Sequence, residues 1–122
     1  HVDMFCDAGY CTYLLGTWVR DRAVMTLEHA VKRITSEPAA LFGIQQRGRI
    51  AAGLAADFAI FDLSTVGSQK RGVMRNDLPG GGRRLVMPAT GMEYTIVNGV
   101  PLLEQGRDTG ARPGQVMRSG RA

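Results

Sequence analysis

Lysine, histidine and cysteine are scarce in this chain, and so are long apolar runs. Of 122 residues only two are Lys, two are His and two are Cys. No uninterrupted apolar stretch approaches the roughly 18 residues that a membrane-spanning helix requires, so no membrane role is expected. Cys6 and Cys11 are too few and wrongly spaced for a Cys-x-x-Cys redox or zinc half-site, and no His pair completes a structural zinc set. Aromatic residues make up 7%, and none interleave with the bases as a stacking platform for single-stranded nucleic acid would need. Nothing near the start has the charged, apolar and small-residue order of a secretory signal. A cytoplasmic location with reduced cysteines is therefore expected. The chain opens on His1 rather than Met, which raises the expectation of a piece of a longer protein.

What is present is an ordinary globular composition, 44% apolar and 21% charged. The net charge of +4 is unevenly placed. Residues 1–45 carry four bases against five acids, and residues 46–122 carry eleven against six. Within residues 46–122 the bases are dispersed, adjacent only at Lys70-Arg71 and Arg83-Arg84, so a solvated basic face is expected and no nucleic-acid partner. Glycine divides the chain in the same place: three of the sixteen lie before residue 45. The first part therefore reads as helices and the second as strands joined by turns.

Leu27, Ala30, Val31 and Ile34 have the spacing of one buried helix face, with Thr26 as the N-cap. Ser36-Glu37-Pro38 restarts a helix that buries Leu41 and Phe42 and stops at Gly43, the residue suited to a left-handed end. Tyr13, Leu14, Trp18 and Val19 suggest a further helix, weakened by Gly16. Helices are expected near 10–22, 27–35 and 37–42. Strands are expected near 48–50, 57–62, 84–87, 92–97 and 100–103. Phe58-Ala59-Ile60-Phe61 lacks polar alternation, which predicts a strand covered on both faces. Residues 64–82 read as a long loop, and the chain beyond Gln105 as an extended tail. Asn98-Gly99, between two apolar runs, predicts a hairpin turn with φ > 0 at both positions. Gly99 thus carries a conformational demand, whereas Gly81 shows none.

Several stretches together resemble the C-terminal end of an amidohydrolase-superfamily enzyme of the N-acyl-D-amino-acid deacylase (D-aminoacylase) branch. The carriers are Thr-Ser-Glu-Pro-Ala-Ala-Leu-Phe-Gly at 35–43, Arg-Gly-Arg-Ile-Ala-Ala-Gly-Leu-Ala-Ala-Asp-Phe-Ala-Ile-Phe-Asp at 47–62, and Val-Asn-Gly-Val-Pro-Leu at 97–102. Phe5-Cys6-Asp7-Ala8-Gly9-Tyr10, Tyr13-Leu14-Leu15-Gly16 and Asp77-Leu78-Pro79-Gly80-Gly81 point to the branch. Ala52 departs from the pattern, standing where such sequences commonly place Pro. The resemblance implies an α+β fragment: closing helices of a (β/α)8 barrel in residues 1–45, then the C-terminal half of a small β-sandwich in 46–106 and an extended tail in 107–122. It implies metal-dependent hydrolysis of the amide bond of N-acyl-D-amino acids, with zinc in the intact enzyme and none expected to bind this fragment. The metal ligands and the catalytic Asp would lie upstream, the partner being the rest of the same polypeptide. His1 is the one catalytic-site residue the resemblance places in this chain, in the active-site loop.

Other residues are read more plainly. Asp3 and Asp7 are solvated acids or caps, His29 is a surface histidine, and Asp57 caps a turn. Gly80-Gly81-Gly82 lacks the trailing Lys-Ser/Thr of a phosphate loop. The competing reading is a self-contained small α+β binding module with a basic face.

Overall fold

The structure, a computed structural model, describes residues 8–117. Its first element is α1, Tyr10–Tyr13, which runs directly into a π-helical stretch, Leu14–Asp21. The expected helix is present, but its wider pitch shows in the bond from Arg22 N–H to the Thr17 carbonyl, 3.0 Å. Leu15, Gly16 and Val19 form the buried side. Gly16 has a packing reason rather than being a flaw: a Cβ there would sit 2.4 Å from the Val66 carbonyl oxygen.

Helix α2 is Leu27–Ile34, capped as expected, with the Thr26 hydroxyl accepting the His29 N–H at 3.3 Å. Helix α3 is Ser36–Leu41. Ser36 is its first helical residue; Thr35 holds the cap position and turns its hydroxyl back to the Val31 carbonyl at 2.6 Å. Gly43 ends α3 at φ +68°, with Gly43 N–H bonded to the Ala40 carbonyl and Ile44 N–H to that of Ala39. The expected burial of Leu41 and Phe42 does not hold. They are 80% and 73% exposed, and α3 buries only Ala39. No described element lies over that face.

The second part contains eight strands among the described residues. They are β1 (Phe58–Phe61), β2 (Gly67–Ser68), β3 (Val73–Leu78), β4 (Gly82–Val86), β5 (Ala89–Thr90), β6 (Met92–Val97), β7 (Val100–Glu104) and β8 (Arg107–Asp108). An antiparallel sheet runs in the order β1-β6-β7-β8, while β2 pairs with β5 and β3 with β4. Asn98 and Gly99, at φ +49° and +78°, close the β6–β7 hairpin between the paired Val97 and Val100.

Four strand expectations need correction. Residues 48–50 form no strand, because Gly48 takes φ +83° and lies so close to α3 that a Cβ would fall 2.7 Å from that of Ala39. The stretch 64–82 is not one loop: β3 pairs with β4 through Val73–Val86 and Met74–Leu85, around a tip where Gly80 and Gly81 both have positive φ. Gly81 therefore carries a conformational demand after all. Strand β1 is not covered on both faces among the described residues, for Ala59 and Ile60 point to opposite faces and both are exposed, Ile60 at 47%. The tail is extended only in part, since Arg107 and Asp108 pair with Glu104 and Leu103.

The core is small. Leu15, Val19, Ala30 and Val66 are its buried members, with Leu14, Met25, Phe61 and Met92 packed around them. Helical and strand-rich segments thus share one apolar centre.

Candidate functional site

Two polar constellations tie distant parts of the chain together, and neither is catalytic in make-up. The first lies where α1 begins. The Gly9 carbonyl accepts the Tyr13 N–H at 2.9 Å, the Thr12 hydroxyl at 3.1 Å and the Ser68 hydroxyl at 2.8 Å. The Thr12 and Ser68 hydroxyls are themselves 2.9 Å apart. Only glycine fits at position 9, since a Cβ would fall 1.9 Å from Ser68 Oγ. Near the far end of the helical stretch, Arg20 donates to the Val66 carbonyl at 2.6 Å while pairing with Asp21 at 2.8 Å. The point where the chain leaves residues 1–7 is thereby fixed to β2.

The second constellation is a clasp around the Asn98-Gly99 turn. Asp57 accepts the Asn98 backbone N–H through Oδ1 at 2.8 Å and the Arg47 guanidinium through Oδ2. Arg47 also donates to Asn98 Oδ1 at 2.6 Å, and Asn98 Nδ2 reaches the Pro113 carbonyl at 2.7 Å. Burial would push the Asp57 carboxyl upward, but the hydrogen bonds from Arg47 and Asn98 and the Arg47 charge outweigh it. The group stays below the usual carboxylate value. Both its oxygens hold the turn, so Asp57 acts as the expected cap and not as a base. A shallow groove beside the clasp is lined by Ser36, Ala39, Gly43, Ile44, Arg47 and Arg49.

His1, Asp3, Cys6 and Asp7 lie outside the described residues. His29 is exposed on α2, and Cys11 is half-buried on α1 with a free thiol. Gly80 and Gly81 lie at the tip of the β3–β4 hairpin, and Gly82 is the first residue of β4. Among the described residues no three His, Cys, Asp or Glu side chains come together as a metal-binding group, so that part of the chain does not fit a zinc site. Nor is any helix among them long and apolar enough to cross a membrane. Arg47, Arg20 and Ser68 went unassigned in the sequence. Their partners lie 10, 46 and 59 positions away, beyond the reach of any local pattern.

Known proteins resemble this arrangement along most of its length. An N-acyl-D-glutamate deacylase of Alcaligenes xylosoxydans xylosoxydans is 36% identical over 110 residues, covering 90% of this chain and 20% of the relative. Among solved structures, a D-aminoacylase mutant in complex with copper chloride superposes with a TM-score of 0.70 at 30% identity, over 89% of this chain and 21% of that one. The N-acyl-D-glutamate deacylase of Bordetella bronchiseptica, complexed with zinc and a phosphonate mimic of the tetrahedral intermediate, gives 0.64 at 34% identity, over 91% and 21%. The chain spans about a fifth of the length of these relatives. Residues 1–103 match the amidohydrolase family, and it is to this family that the chain belongs.

Proposed function

We propose that the chain is the C-terminal part of a metal-dependent amidohydrolase that hydrolyses the amide bond of N-acyl-D-amino acids, and that it is catalytically incomplete by itself. The observation that carries this reading is the likeness along nine-tenths of the chain to deacylases more than four times its length. In this reading residues 1–45 close the (β/α)8 barrel and residues 46–106 supply part of the accessory sandwich. Residues 107–122 form a tail whose first two residues add the strand β8. Zinc, held by the rest of the polypeptide, would polarise the amide carbonyl and activate water.

The contribution of this chain is positional. The bonds at the Gly9 carbonyl fix the end of the segment that begins with His1, the residue assigned to the active-site loop. Positioning of this kind matters because a small misplacement of reacting groups can cost about a hundredfold in rate. The substrate is a small N-acyl-D-amino acid, the location is cytoplasmic, and neither nucleic acid nor membrane is a partner. The test is release of free D-amino acid from N-acetyl-D-amino acids by the intact polypeptide, with zinc and after chelation. Turnover that disappears with the metal is expected. A zinc-loaded polypeptide that hydrolyses none of these substrates would overturn the assignment.

A further inference from the structure

The β3–β4 hairpin forms a two-stranded sheet of its own, paired with no other described strand. All six residues of β3 are exposed, including Val73 at 48%, Met74 at 52% and Leu78 at 43%. Its apolar cross-strand pairs, Val73–Val86 and Met74–Leu85, are neighbours in register and so point to opposite faces of the ribbon. A two-stranded ribbon open on both faces is marginally stable in water. This one also sets Arg75 directly opposite Arg84, an unfavourable pairing of like charges. Asp77 relieves it only in part, by binding Arg84 through two hydrogen bonds of 2.6 and 2.8 Å.

Residues 70–84 hold five bases against the single acid Asp77. Lys70, Arg71, Arg75 and Arg83 have no ion-pair partner among the described residues. Exposed apolar side chains interspersed with unpaired cations complement an apolar surface rimmed by acids. A second copy of this chain is a poor match, because it repeats the same basic hairpin and its own net charge is +4.

We propose that the hairpin is a docking arm, covered in the intact protein by an acid-rimmed apolar surface of the remaining polypeptide. This rests on the reading of the chain as one part of a longer enzyme. That remainder makes up about four-fifths of the length of the relatives.

The test is hydrogen exchange on the intact polypeptide, resolved to residues 73–86, in the wild type, in Met74→Asp and in the double variant Arg75→Glu, Arg83→Glu. Amides of 73–86 in the wild type should be protected to the level of β6 and β7. Either variant should speed their exchange by about tenfold or more while leaving β6 and β7 unchanged, and added salt should act in the same direction. Rapid exchange of 73–86 in the wild type would overturn the proposal. So would protection that depends on protein concentration, which identifies a second copy as the cover, or protection that appears only with added oligonucleotide. Deacylase turnover measured on the same preparations reports separately on the functional reading. A docked hairpin in an inactive polypeptide, or a free hairpin in an active one, tells the two failures apart.

Discussion

Glycine marks the places where this chain lets backbone approach backbone. Gly16 is helical and buried, and any side chain there meets the Val66 carbonyl. Gly114 has nothing within 4 Å of a Cβ position. Gly16→Ala should therefore cost about 1–3 kcal/mol through overpacking, whereas Gly114→Ala should leave the urea midpoint unchanged. Gly81 and Gly99 both hold positive φ, so the expectation that only Gly99 carries a demand gives way to a symmetric one. Valine at either position should destabilise by a comparable amount, about 1–2 kcal/mol from backbone strain, read as similar shifts in the two urea midpoints. The Asp57 clasp makes a pH prediction. Its folded pKa lies below the unfolded value of about 3.9, so its contribution is fully present above that pH and disappears as pH falls through the folded pKa. Urea midpoints taken between about pH 2 and 6 should show a shallower acid limb for Asp57→Asn than for the wild type. Identical limbs would show that the clasp is not formed in solution.

At the scale of elements, what could be read from the sequence was what local chemistry decides. The Thr26 cap, the left-handed Gly43 and the Asn98-Gly99 turn each depend on residues no more than a few positions apart, and each was found where expected. Thr26→Ala should cost about 1 kcal/mol, measurable as a lower thermal midpoint. Elements fixed by distant contacts were not legible. The β3 strand has a mixed polar composition and exists through its pairing with β4, so composition alone suggested a loop. The apolar run at 58–61 suggests a covered strand, yet Ala59 and Ile60 are exposed among the described residues. Gly16, inside the π-helical stretch, rests on Val66, a contact across fifty positions. The candidate site divided in the same way. Asp57 was recognisable as a cap because it flanks an apolar strand, whereas its partner Arg47 was not.

For the whole molecule, the balance of covered and uncovered apolar surface is the dominant fact. Among the described residues five apolar ones are buried, while fourteen large ones are exposed, among them Leu41, Phe42, Ile50 and Trp18. Apolar surface left uncovered in this way favours association. The chain alone should therefore self-associate and bind a hydrophobic dye. A clean monomer in analytical ultracentrifugation, with a cooperative melt and no dye binding, would favour a self-contained module instead. The same imbalance bears on catalysis, because a catalytic zinc needs about three protein ligands and an open position for water, and the described residues assemble no such group. The most direct measurement is turnover of N-acetyl-D-amino acids by the 122-residue chain alone, with and without zinc, beside the intact polypeptide. The account predicts zinc-dependent release of D-amino acid by the intact polypeptide and none by the chain alone. Zinc-dependent turnover by the chain alone, abolished by His1→Ala, would contradict it.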